Sequence, residues 1–352
     1  MKAAYFEKPF VVTVEETEKP QVAENEILIR VMAAAICGTD LRIYKFGHFK
    51  IPEGEKRVLG HEVSGEIVEA GSLAKGFKTG MRVVVPPNIG CGSCRMCIQG
   101  FNQLCPDYEA FGISIDGGFQ EFMKIPSTAI ERGNVIPVPD NISYEEAALV
   151  EPFSCAYSSF KALGTKPGDI VLIIGAGPIG ACHVMINKLA GARKVIVADI
   201  SAKRLREVEK FGVDVAVDSS LESLQDRVME ETDGMGADVI ITANSVPEIQ
   251  TQALELAAPH GRVNLFGGMP KGKEMVALNT NLIHYKELRV LATTGSSIED
   301  FYQSLLIVSS GKIPLLQIAT GRFALDNIKE AFEYALSGEG LKALISNSYM
   351  KK

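Results

Sequence analysis

Ile170-Val-Leu-Ile-Ile174 followed by Gly175-Ala-Gly177-Pro178-Ile179-Gly180 is the stretch that decides the fold. Five consecutive apolar residues read as a strand buried on both faces, and a helical pattern, Ala181 to Ala190, opens directly behind the glycines. A lone G-x-G-x-x-G is a weak signal, but strand before and helix after is the context it requires. The first glycine permits the turn, the second lets backbone approach a pyrophosphate, and the third lets helix and strand pack closely. The helix N-terminus then stabilises phosphate charge. Gly175, Gly177, Pro178, Ile179 and Gly180 are therefore the candidate dinucleotide cradle. The next strand ends at Asp199, where a carboxylate can accept from both ribose hydroxyls and repel a 2′-phosphate, favouring NAD over NADP. A competing reading makes Asp199 only the cap of a helix beginning near Ser201. Arg204 is placed as a neighbour of the adenine.

Outward from this motif the pattern stays the same. Apolar runs Val195 to Ala198, Val213 to Val217, Val239 to Ala243 and Val263 to Phe266 alternate with helical stretches such as Ala202 to Phe211. Such alternation predicts a doubly wound parallel sheet over residues 153–289. Upstream, over 1–152, short runs separated by Gly and Pro (Glu26 to Met32, His61 to Ala70, Arg82 to Val85, Gly118 to Ile125) predict a partly open β-barrel. Residues 290–352 hold one more helix, Ile328 to Leu336, and an apolar run, Leu341 to Ile345. With no third core in sight they are expected to return to the first domain, so that two domains meet at a cleft.

Cys91, Cys94, Cys97 and Cys105 follow a C-x2-C-x2-C-x7-C spacing. Four thiolates so spaced can surround one zinc tetrahedrally, and because no position is left for water or substrate such a site is structural. This predicts a zinc lobe at about 86–106. A disulfide framework is disfavoured in a chain of 352 residues with seven cysteines and no apolar leader segment, which points to a reducing cytoplasm. A nucleic-acid zinc module is disfavoured by a net charge of -7. The 46% hydrophobic and 22% charged composition is that of a globular protein, and the apolar stretch Ile170 to Ile186 is too broken by Gly and Pro for a membrane span.

Away from the lobe stand Cys37 in Cys-Gly-Thr-Asp, His61-Glu62 in Gly-His-Glu, and Glu151 in Val-Glu-Pro. A thiolate, an imidazole and carboxylates suffice for an open zinc site that keeps a water. Each residue also has an ordinary structural role available, and their separation in the chain leaves convergence unproven.

These motifs, the four-cysteine lobe and Gly-Ala-Gly-Pro-Ile-Gly come in the same order and at similar separations as in the zinc-dependent medium-chain alcohol dehydrogenases, which the chain resembles over essentially its whole length. It looks most like the sorbitol (polyol) dehydrogenase and L-threonine 3-dehydrogenase branch. The resemblance implies a GroES-like catalytic domain, a homotetramer or dimer, and a catalytic zinc bound by Cys37, His61 and a carboxylate, Glu62 or Glu151. It implies that Thr39 takes the proton of the substrate hydroxyl, and that Phe266-Gly267-Gly268 and Thr293-Thr294 approach the cofactor. Tyr44, Phe46 and Phe111 are expected around the substrate. Two departures stand out. Arg42 occupies a position that is often His in this branch, and arginine cannot act as a base near neutral pH; the sequence Thr-Thr-Gly-Ser-Ser lacks an Arg that polyol dehydrogenases often carry. The expected activity is NAD-linked oxidation of a secondary alcohol of a polyol, sugar acid or similar metabolite. L-threonine 3-dehydrogenase is the alternative within enzymes, and a non-catalytic zinc- and NAD-binding protein is the alternative outside them.

Overall fold

The computed structural model describes residues 1–346, so the end of the expected 290–352 return segment lies outside it. The chain divides into two units, one formed by Met1–Ser154, Ser296–Gly311 and Leu315 onward, the other by Cys155–Gly295 and Lys312–Pro314.

In the second unit six parallel strands lie in the order Val215–Asp218, Lys194–Asp199, Ile170–Ile174, Ala237–Thr242, Ala257–Asn264, Arg289–Leu291. In chain order this is 3-2-1-4-5-6, whose crevice lies where the order reverses, beside the first strand. Ile170–Ile174 is buried at every position, as its unbroken apolar run requires between two neighbouring strands. Two features depart from the sequence pattern. Arg289–Leu291 adds a sixth strand too short to show a period, and the fifth begins at Ala257, directly after the helix Pro247–Leu256.

The helix Pro178–Leu189 buries every residue from Gly180 to Asn187. That includes His183, which is fully buried with its ring edge-on to Phe266 at 5.1 Å. Neither of its ring nitrogens has a hydrogen-bond partner among the described residues. Burial drives its pKa down to about 3, so the native imidazole is neutral. The unfolded imidazole, with a pKa of about 6.5, binds a proton that the native one refuses between about pH 3 and 6.5. Stability therefore rises with pH across that window, by about 2 kcal/mol from this group between pH 5 and 7. His183→Leu is expected to flatten this part of the curve and to raise the denaturant midpoint at pH 5. Parallel curves for variant and parent would contradict the assignment.

In the first unit Ile27–Ala35 is the central strand of a seven-stranded sheet, pairing with Glu62–Ala70, Phe122–Ile125 and the late strand Ala343–Ser346. A three-stranded sheet contains Lys2–Lys8, Val11–Glu16 and Arg57–Val58. Among the described residues no closed barrel forms, as a partly open one predicts. The register does the positioning. Ala35 lies opposite Glu62 and Leu344 opposite Ala35, so Cys37, His61-Glu62 and Lys342 all emerge at one end of three adjacent strands. The Ile36 N–H donates to Ala343 O at 3.0 Å, which ties the late strand to that end. Among the described residues no helix is long and apolar enough to cross a membrane.

Candidate active site and metal clusters

Cys37 ends the chain's passage out of the central strand and serves as N-cap of the helix Gly38–Phe46. Asp40, fully buried, locks that turn: its Oδ2 accepts from Cys37 N at 2.8 Å and its Oδ1 from Gly60 N at 3.1 Å. Oδ1 also stands 3.4 Å from His61 Nδ1, which fixes the face the imidazole turns to the carboxylate. A carboxylate behind a histidine is the arrangement that orients metal-ligating imidazoles. Burial lowers the pKa of His61, but the Asp40 carboxylate and Cys37 sulfur outweigh it and hold the imidazole well above its ordinary value. The surroundings thus favour a cation.

Ligand atoms of Cys37, His61 and Glu62 lie within 4.8 Å of one another. Glu62 is fully buried, with Oε1 accepting from Lys342 Nζ and Oε2 left without a hydrogen-bond partner among the described residues. Burial raises its carboxyl to about 7 against the pull of Lys342, with the Glu151 carboxylate adding to the rise. A thiolate, an imidazole and an unpartnered carboxylate oxygen fit zinc and leave a fourth position open. Glu151, in the first turn of the helix Val150–Leu163, is buried within electrostatic reach of Glu62 but outside this cluster. Lys342, 4% exposed at its side chain, is the residue that sequence reasoning missed. Its signal was a charge inside the apolar run Leu341 to Ile345. Thr39 is half-buried on the first turn of the Cys37 helix.

The four lobe sulfurs also lie within 4.8 Å of one another, and none of the four is joined in a disulfide, so the disulfide reading is out. Cys94 and Cys105 sulfurs are 3.8 Å apart, the edge of a tetrahedron with metal–sulfur bonds of about 2.3 Å. Backbone N–H groups of Cys91, Cys94 and Cys97 point at neighbouring sulfurs at 3.3 to 3.5 Å, which favours thiolates. At Gly90 an added Cβ would come within 2.5 Å of Cys97 Sγ, so the turn needs glycine there.

At the glycine loop, Gly175 has φ +123, and a Cβ on Gly180 would lie 2.0 Å from Gly175 O. Gly177 has open space where its Cβ would be, and it caps the helix Pro178–Leu189 without a side-chain bond, leaving helix N–H groups for a phosphate. Asp199 Oδ2 accepts from Ala176 N at 2.8 Å and Oδ1 from Ser201 N at 2.9 Å, so the carboxylate is fixed against the loop. The helix Ala202–Glu209 is capped by Ser201, whose Oγ accepts from Arg204 N, so capping does not account for Asp199. Asn264 Nδ2 donates to Ser159 Oγ and to Thr293 Oγ1, holding Thr293, while Thr294 and Gly268 are exposed. A Cβ on Gly267 would collide with Asn244 O, which explains that glycine through packing alone.

Two of the residues expected around the substrate are buried in this structure. Tyr44 is 5% exposed, wedged between Phe10 and Phe332, and its hydroxyl donates to Phe10 O at 3.2 Å. Phe111, 1% exposed, sits in the same hydrophobic core. Both are packing residues; Phe46 on the same helix as Tyr44 is exposed.

Comparison with known proteins agrees with this geometry. The family model described as alcohol dehydrogenase GroES-like domain matches residues 23–140, and that described as zinc-binding dehydrogenase matches residues 178–310. An L-threonine 3-dehydrogenase of Pyrococcus furiosus is 36% identical over 327 residues, covering 92% of each chain. The chain belongs to the zinc-dependent alcohol dehydrogenase family. Members of known structure include a zinc-binding dehydrogenase of Sinorhizobium meliloti bound to NADP, 30% identical with a TM-score of 0.90 over 98% of each chain. Another is 2R,3R-butanediol dehydrogenase of Bacillus subtilis, 28% identical with a TM-score of 0.88 over 98% of this chain and 99% of that one. As a member of this dehydrogenase family the protein is an enzyme of the alcohol dehydrogenase type.

Proposed function

We propose that the protein reversibly oxidises a secondary alcohol bearing a neighbouring hydroxyl or amino group to the ketone, with NAD as acceptor. The observation that carries this reading is the cluster of half-buried Cys37 with buried His61 and Glu62, and Thr39 on the adjoining helical turn. Zinc held by this set would supply Lewis-acid polarisation, lowering the pKa of a substrate hydroxyl. Asp40 holds the Cys37 turn and faces His61, and Lys342 neutralises Glu62 so that the cluster does not carry two uncompensated anions. Thr39 accepts the hydroxyl proton and passes it on toward solvent. Glu151 adjusts the field at Glu62 from outside the cluster.

For substrate, threonine carries an amino group and butanediol a hydroxyl beside the reacting carbinol, and both substrate classes occur among the relatives. This supports a vicinal amino alcohol or diol, with L-threonine and polyols both inside the class. For coenzyme, the NAD reading rests on Asp199 fixed against the glycine loop, although the Sinorhizobium meliloti relative was solved with NADP. Coenzyme reduction with L-threonine, 2,3-butanediol, sorbitol and xylitol, each with NAD and NADP, tests both parts. Asp199→Ser is expected to lower kcat/KM for NAD about 100-fold through loss of charged hydrogen bonds, and to raise relative use of NADP. An unchanged NAD to NADP ratio would remove Asp199 from the assignment.

A further inference from the structure

The helix that begins at Cys37 has two faces. Asp40, Ile43 and Tyr44 are buried, and their contacts fix its rotation: Asp40 on Cys37 N and Gly60 N, Tyr44 between Phe10 and Phe332. The opposite face therefore carries Thr39, Arg42 and Phe46, of which Arg42 and Phe46 are exposed. Thr39 and Arg42 are three apart and so are neighbours on the helix surface. The stripe leads from the metal-ligand cluster outward.

Arg42 has no hydrogen bond or ion pair among the described residues. Next to it the chain turns through His48, Phe49 and Lys50. His48 Nδ1 accepts from Lys50 N at 3.2 Å, which puts the proton of the neutral ring on Nε2 and makes that nitrogen a donor. Lys50 Nζ donates to Tyr108 O at 2.5 Å and lies 3.8 Å over the Tyr108 ring, pinning the turn. His48 stacks on the exposed Phe49 ring at 4.5 Å. Desolvation first, then Lys50 and Arg42, all act to keep His48 unprotonated, and no carboxylate of the described residues stands among these influences. This concentration of donors and positive charge occurs on a chain with a net charge of -7, so it is local.

We propose that Arg42, with His48 beside it, receives an anionic group, carboxylate or phosphate, of the substrate whose reacting hydroxyl lies at Thr39. The proposal rests on the alcohol dehydrogenase reading above and narrows its substrate class to polyhydroxy acids, hydroxy amino acids or polyol phosphates. A guanidinium presents a planar fork of N–H donors that matches either oxyanion, and a neutral imidazole donor completes it without adding a charge. Position 42 then selects the substrate in this chain, and the proton leaving Thr39 passes to solvent by another route.

The test uses the zinc-loaded, full-length enzyme and two matched pairs of probes, sorbitol with sorbitol 6-phosphate and L-threonine amide with L-threonine. Calorimetric Kd values in the presence of NADH are measured beside KM and kcat with NAD, for the parent, Arg42→Met and Arg42→Lys. The parent is expected to bind the carboxylate- or phosphate-bearing member of at least one pair about 10-fold or more tightly than the partner lacking that group. Which pair responds tells carboxylate from phosphate. Arg42→Met should erase about 10- to 100-fold of that preference, Arg42→Lys should recover part of it, and the anionic Kd should weaken with salt. Equal losses for both members of a pair, a larger loss of NADH affinity than of affinity for the carboxylate- or phosphate-bearing member, or no preference in the parent would overturn the subsite. Tight binding of a phosphate ester with no coenzyme reduction on any probe would instead sink the dehydrogenase reading and leave the subsite standing.

Discussion

Cys37→Ser is expected to cut kcat/KM by about three orders of magnitude or more, a loss of about 4 kcal/mol of transition-state stabilisation, while zinc falls from about two per chain to about one. Serine is nearly isosteric but its hydroxyl is a far poorer zinc ligand than a thiolate, so the change tests metal binding and little else. The fold should survive, because Asp40 holds this turn through the backbone N–H of residue 37, which serine keeps. The four-sulfur lobe shares no ligand with the cluster and should keep its metal. Far-ultraviolet dichroism, metal analysis and turnover on the same preparation check all three statements. A fully active Cys37→Ser protein holding one zinc would refute the assignment.

Lys342→Met is expected to destabilise the protein by about 3–5 kcal/mol, the usual cost of removing one partner from a buried ion pair. Glu62 is fully buried, Lys342 nearly so, and their contact joins residues 280 positions apart. Deprived of the ammonium, the Glu62 carboxylate must either stay charged in an apolar site or take up a proton. The loss should be largest in chelated protein, since a cation at the cluster replaces part of what Lys342 supplies. Adding Glu62→Gln to Lys342→Met should recover at least half of the stability while leaving metal affinity impaired. Denaturation midpoints for the two single variants and the double variant, with and without chelator, measure the coupling. Additive effects would mean that the contact carries no energy.

What could be read from the chain followed the range of the interaction. The glycine loop and the four-cysteine lobe are local: their geometry is written in residues a few positions apart, and spacing alone conveys it. The convergence of Cys37, His61 and Glu62 is set by strand register, Ala35 opposite Glu62, which no spacing reveals; family resemblance supplied it. Lys342 depends on a second register, Leu344 opposite Ala35, and surfaced only as a charge in an apolar run. Tyr44 is expected at the substrate from sequence because an aromatic near a metal motif looks the same whether it lines a pocket or fills a core. Helical phase decides the matter, since Tyr44 lies four residues after the buried Asp40 and shares its face, whereas Phe46 shares the face of Thr39 and Arg42.

Under the function proposed above, catalysis falls to an open three-donor zinc site and structure to a closed four-thiolate one. Graded chelation, with zinc content, turnover and dichroism followed together, addresses that division most directly. The first equivalent of zinc to leave should take the activity with it while secondary structure holds, and re-addition of zinc should restore turnover; the second should leave only with loss of structure. Activity that persists after the first equivalent is gone, or a protein that holds only one zinc when fully active, would contradict it.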